Sequence, residues 1–302
     1  MEQDTVKQSS SFKIAAKLKD YMLLVKFNLS FMVVFSAVVS YLLAPLVTGF
    51  DLKAILLLFV AGMLVTGSAN AINQALEKNT DAMMKRTAGR PVAAGRMTVA
   101  EAMSFAIICG LTGVMLLWQF NSLAAMLSLF SLFFYAFIYT PLKKVSSVAV
   151  LAGAIPGAMP CLIGWAAGND SLTAGAWILF TIQFFWQFPH FWAIAWIAHK
   201  DYSAAGFKLL PSGEGQTKYS ALQAVIYSLL LLPVGVMPYF NGMSGMLSLF
   251  VVLVANLFMV GFCVRLYLDM TTGAARRVMF ASYIYLPVVL LALLIDKVHV
   301  LN

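Results

Sequence analysis

Long apolar runs, interrupted at short intervals by polar or charged clusters, set the pattern of this chain. Windows able to cross about 30 Å of hydrocarbon predict nine helices, near residues 27–49, 54–77, 98–119, 122–140, 146–167, 173–198, 219–239, 244–266 and 276–295. No Ser/Pro-rich linker separates them, so a single domain is expected. The pattern predicts an all-α polytopic membrane protein with one transmembrane domain over residues 21–302, after a basic cytosolic tail at 1–20. Spans one to four and five to eight form two possible four-helix halves, followed by a ninth helix.

Composition agrees with this reading. Of 302 residues, 62% are hydrophobic and 11% charged, far from the one-quarter charge of soluble domains. The basic residues then test the path, because cytoplasmic loops collect Lys and Arg. With the N-terminus in the cytoplasm, all the basic residues except Lys53 and Lys297 fall on that side, among them Lys7, Lys13, Lys85 and Arg277. A missed span would scramble every later loop. The C-terminus, with His299, is expected outside. The net charge of +8 is thus positive-inside bias, and no basic-aromatic module suggests nucleic acid. Cys109, Cys161 and Cys263 stand singly, without metal or disulfide spacing.

Two polar stripes interrupt the apolar pattern. On one helix, Thr66, Asn70, Asn73, Glu77 and Asp81 would fall within an arc of about 80°. On another, Gln183, Gln187, His190 and Asp201 would fall within about 60°. Both predicted spans run toward the cytoplasm, so both carboxylate-bearing ends reach one face. Hydrogen bonding between helices accounts for the amides as readily as function does, whereas ionisable groups at membrane depth favour function. Oxygen donors suit Mg2+. Lys85, Arg86, Arg90, Lys143, Lys144 and Lys200 suit a metal-bridged di- or triphosphate. Aromatic residues crowd the same ends, including Trp186, Phe188, Trp192 and Tyr139. A prenyl diphosphate has the matching shape, an anionic head on a greasy tail.

Asn73, Gln74, Glu77 and Asp81 occupy the places of an N-D-x-x-D-x-x-x-D motif, and Met84, Arg86-Thr87 and Arg90-Pro91 follow as M-x-R-T-x-x-R-P. With Tyr139 to Lys144, Gly153 to Pro160, Gly164-Trp165, Phe188 to Trp192, Asp201-Tyr202, Ser282 and Tyr285 to Pro287, the chain resembles the intramembrane aromatic prenyltransferase superfamily, and within it the branch that farnesylates heme. Asp201 stands alone where other members carry several aspartates. A second metal therefore has little support, and one or two Mg2+ ions are left open.

The resemblance implies transfer of farnesyl from farnesyl diphosphate to the 2-vinyl group of heme b, giving heme O for respiratory oxidases. It implies that Asn73, Glu77, Asp81 and Asp201 hold Mg2+ and act catalytically. Asn70, Arg86, Arg90, Lys143, Lys144, Lys200, His190, His199, Tyr139 and Gln187 would contact substrate, with His190 or His199 as possible iron ligand. A multi-pass protein of the bacterial inner membrane is implied, with its site on the cytoplasmic side, lipid around it, and heme A synthase or oxidase assembly factors as possible partners. A quinone prenyltransferase, a non-catalytic heme-handling protein and an ion transporter are the rival readings. The last would want polar groups reaching both faces.

Overall fold

The computed structural model describes residues 14–298; Lys7, Lys13 and His299 lie outside them. The long helices are α1 (Ile14–Leu24), α2 (Phe27–Leu43), α3 (Leu52–Leu76), α5 (Val99–Trp118), α6 (Ser122–Phe133), α8 (Ala149–Asn169), α9 (Ala174–Ile197), α11 (Lys218–Phe240), α12 (Met246–Asp269) and α13 (Thr272–Ile295). Short helices α4 (Lys78–Met83), α7 (Thr140–Leu142) and α10 (His199–Ala204) follow α3, a π-helical turn at Phe134–Tyr139, and α9. Each predicted span coincides with a long helix. Among the described residues, seven helical segments are long and apolar enough to cross a membrane, and eight if α1 and α2, bent by 49°, count as one span. The 24-residue α9 is not among them, because Gln183, Gln187, Pro189 and His190 lower its hydropathy.

Local chemistry explains where helices start. Asp51, Thr98, Asn121, Thr217 and Thr271 each accept a backbone N–H at the first turn of α3, α5, α6, α11 and α13, which satisfies donors that would otherwise be orphaned. The predicted boundary at residue 20 falls inside α1. That helix is held to the bundle by Lys17–Glu101 at 2.6 Å, Arg96–Asp20 at 2.9 Å and the Tyr21 hydroxyl donating to Glu101 at 2.8 Å.

Helix α8 is the centre, packed against α2, α6 and α9, and most of its length is buried. Its small residues let neighbours approach: a Cβ at Gly157 would meet Gln187 Oε1 at 1.9 Å, and one at Gly164 would meet the Ala37 carbonyl at 1.8 Å. One of its prolines frees a carbonyl, and a side chain takes it up. Pro160 cannot donate to the Pro156 carbonyl, which accepts instead from Ser131 at 3.4 Å. The alternation of helices also sorts the connections into two ends. At one, Lys143, Lys208, Arg86 and Tyr202 meet; at the other, Lys297 Nζ donates to the carbonyls of Leu42, Ala44 and Val47 at 2.7 to 3.0 Å.

Candidate active site

The first polar stripe is not one helix face. Helix α3 ends at Leu76, Glu77 takes φ −96° and ψ 13°, and α4 starts anew at Lys78. Asp81 therefore sits on a second axis, and the expected single arc is corrected to two short ones that meet at Glu77. Both carboxylates beside the break point into the protein. Glu77 is 5% exposed and Asp81 1%.

Buried charges need partners, and both carboxylates have them. Lys143 Nζ lies 2.8 Å from Glu77 Oε1. Arg90 Nη1 donates to both Asp81 oxygens, at 2.8 and 2.7 Å. Lys143 also sits 4.6 Å from the centre of the Tyr139 ring and 5.8 Å from that of Phe207, where ring faces favour a cation. Tyr139 closes the π-helical turn, a distortion common at functional sites, and its ring occupies the space that a Cβ at Gly153 of α8 would need.

Asn73 joins this cluster through its own contacts. Its Nδ2 donates to Thr140 Oγ1 at 3.5 Å, and its Oδ1 accepts from Lys26 Nζ at 3.4 Å. Lys26 has φ 48° and ψ 58°, a left-handed conformation that costs a residue with a Cβ roughly 1–2 kcal/mol. Two amides of α3 hold it there. Gln74 Nε2 donates to the Leu23 and Leu24 carbonyls at 3.0 and 2.9 Å, and Asn70 Nδ2 donates to the Val25 carbonyl at 3.1 Å. Asn70 and Gln74 thus build the α1–α2 bend rather than face the carboxylates. Lys26, absent from the residues expected to contact substrate, is brought into the cluster by that bend.

The second stripe also comes apart. Gln183 and Gln187 spend their amide hydrogens on the Gly157 and Ala154 carbonyls of α8, at 2.7 and 3.1 Å. His190 faces α13 instead, with Nδ1 2.8 Å from Ser282 Oγ. Helix α9 breaks at Ala198, so Asp201 lies on α10, half-buried, with no ion pair or side-chain hydrogen bond among the described residues. His199 packs over Gly215 and pairs with Ser203 at 3.4 Å. Lys144 and Lys200 are exposed. Arg86 is exposed too, but it bonds the Tyr202 hydroxyl at 2.5 Å and lies over that ring, which links the loop after α4 to α10. Phe207, from the loop after α10, packs with Met84.

Among the described residues no group of three His, Cys, Asp or Glu side chains forms a ready metal site. The oxygen set is nevertheless the right kind for a hard divalent ion: two buried carboxylates and the buried Asn73 amide. Beside the cluster, α2, α3, α6 and α8 enclose a cavity of about 120 Å³, apolar along Leu29, Val33, Leu132 and Ile163 and reaching Asn70 and Tyr135.

The model of the UbiA prenyltransferase family matches residues 33–285. The chain belongs to that family. Two relatives named protoheme IX farnesyltransferase share most of its length. The one from Cytophaga hutchinsonii is 42% identical over 287 residues, covering 95% of this chain and all of the relative, and that from Flavobacterium psychrophilum is 38% identical, covering 94% and 96%. Among solved structures, a digeranylgeranylglyceryl phosphate synthase superposes with a TM-score of 0.77 at 20% identity, covering 93% of this chain and 98% of that one. A UbiA homologue from Archaeoglobus fulgidus bound to GPP and Mg2+ gives 0.64 at 13% identity, covering 91% and 99%. These likenesses establish the UbiA fold.

Proposed function

We propose that the chain transfers farnesyl from farnesyl diphosphate to the 2-vinyl group of heme b, making heme O. The observation that carries this reading is the buried cluster of Glu77–Lys143 and Asp81–Arg90 ion pairs beside an apolar cavity, in a chain whose relatives carry the name protoheme IX farnesyltransferase. In the reaction the bond between farnesyl C1 and the diphosphate oxygen breaks. A bond from C1 to the vinyl carbon forms, and water adds at the neighbouring carbon with loss of a proton.

The cluster suits that chemistry by exchange of partners. Without substrate, each buried carboxylate is neutralised by a cation. With substrate, Lys143 and Arg90 would face the diphosphate oxygens while Glu77, Asp81 and Asn73 would hold Mg2+, so that every charge would keep a partner. Held there, Mg2+ would supply Lewis-acid stabilisation of the departing diphosphate. Lys26, Arg86 and Lys143 hold further positive charge against it. Tyr139, Tyr135 and the apolar wall shield the allylic cation from water. Asp201 closes the site from α10, with Lys144, Lys200 and His199 at its rim, and His190 meets the heme deeper in the bundle. Asn70 and Gln187 act through the backbone that they brace.

We further assign nine spans to the inner membrane of a bacterium, with α1 and the site on the cytoplasmic side and the C-terminus outside. The distribution of Lys and Arg supports this orientation. Membranes holding the protein, incubated with heme b, farnesyl diphosphate and Mg2+, should yield a more retained heme heavier by one farnesyl and one hydroxyl group. Unmodified heme alone under all conditions would overturn the reading.

A further inference from the structure

We propose that α1 is an interfacial membrane anchor: Ile14, Leu18 and Met22 sit in the acyl boundary of the cytoplasmic leaflet, and Lys17 and Lys19 reach phospholipid phosphates on either side. At about 100° per residue, Ile14, Leu18 and Met22 share an arc of about 80°, and the two lysines stand about 100° to either side of Leu18. The apolar side chains of this stripe are 70%, 64% and 43% exposed. Contact with the bundle does not account for them, because another face of α1 makes it. Asp20 and Leu24 are buried there, and Leu24 packs with Ala71, Val92 and Ala102.

What covers the stripe follows from its height. Lys17 and Tyr21 both reach Glu101, in the first turn of α5. Helix α5 has 20 residues, at about 1.5 Å each the length that crosses about 30 Å of hydrocarbon, so its first turn marks the edge of the lipid. The stripe stands at that edge. Its apolar surface continues into α2, where Phe27, Phe31 and Met32 are 39%, 44% and 40% exposed, and the 49° bend sets α1 oblique to that span. A helix with water on one side and acyl chains on the other needs this pattern, an apolar stripe between lysines. Lysine stems lie along apolar surface while their ammonium groups rise to the phosphates. Lys19 is exposed, and the side chain of Lys17 is 41% exposed even while paired with Glu101. Tyr21, of a residue type enriched at membrane interfaces, lies between the stripe and the bundle. The anchor adjoins the site, because α1 runs into the bend that carries Lys26 to Asn73.

A nitroxide on the full chain, reconstituted in vesicles of phosphatidylcholine and phosphatidylglycerol, tests this placement. One sample carries it at Leu18→Cys, and another at Ala16→Cys, an exposed position about 160° away around the helix. The native cysteines are buried, which leaves the introduced thiol to react. Oxygen should relax the label at position 18 far more than a water-soluble nickel chelate does, at a depth of about 5–10 Å. The order should reverse at position 16. Equal accessibility at the two positions overturns the proposal. So does nickel exceeding oxygen at position 18, which would place the stripe in water, and so does exclusion of both, which would place it against protein such as a second copy of the chain. Adding Leu18→Glu to a protein labelled at Met22→Cys should lower the oxygen-to-nickel ratio several-fold, and an unchanged ratio would show that the stripe does not hold α1 in the lipid.

Discussion

The chain breaks its helices in the same way at two places and uses only one break to bury charge. Glu77 has φ −96° and ψ 13°, Ala198 has φ −96° and ψ 16°, and each leads into a six-residue helix. A duplicated four-helix unit would leave such a repeat. The side chains diverge: the first break holds two buried, paired carboxylates, whereas the second has alanine at the turn and the half-buried Asp201 beyond it. The difference teaches that backbone geometry does not make a site. A buried carboxylate with a mobile cationic partner can exchange it for a metal; a solvated one has less to gain.

The largest effect should come from disturbing that asymmetry at its source. Asp81→Asn and Glu77→Gln should each lower turnover by roughly 10²–10³-fold, measured as heme O formed at saturating Mg2+, while Asp201→Asn lowers it by tenfold or less. Equal losses at both ends would erase the distinction. Next, Lys143→Met should leave Glu77 buried without a cation and cost about 3–5 kcal/mol of stability, read as a fall in thermal midpoint in detergent. Adding Glu77→Gln should recover much of that stability without recovering activity.

A smaller effect separates scaffold from site. Gly157→Ala pushes a methyl into Gln187, and such overpacking typically costs 1–3 kcal/mol; thermal stability should fall more than the Michaelis constant for farnesyl diphosphate rises. Smallest is Tyr202→Phe, which removes the exposed Arg86 contact that joins the two loops. Exposed pairs contribute about 0–1 kcal/mol, so stability should be unchanged and only the apparent affinity for the diphosphate should weaken. A large loss of stability there would mean that the loops depend on each other for folding.

Apolar run length placed every long helix except α1, which was expected to be tail, because a helix crossing lipid must satisfy its own backbone and face its surroundings with apolar side chains. The oxygen donors of the first motif were legible for a related reason: ionisable groups so placed are too costly to be idle. The stripes were less reliable. Extending one helical period through Glu77 and Ala198 assumed continuous helices, and periodicity cannot see a break whose cause is packing. Asn70 and Gln187 read as site residues, and Gln183 as part of the second stripe, because the sequence does not show which carbonyls need donors. Those carbonyls come from the bend at residues 25–26 and from α8, distant along the chain.

By itself, then, the sequence determined the helices, the clustering of charge toward one end of the bundle and the chemical type of the site, since these follow from hydrophobicity, length and residue identity. Only the tertiary structure decided that Lys143 neutralises Glu77 across 66 positions, that Lys26 is turned toward Asn73, and that His190 looks to Ser282 rather than to Asp201. Each of these depends on where one helix stops and what another presents at that height. Such long-range contacts are settled by the packing of the whole bundle around α8, not by the pattern along any one segment.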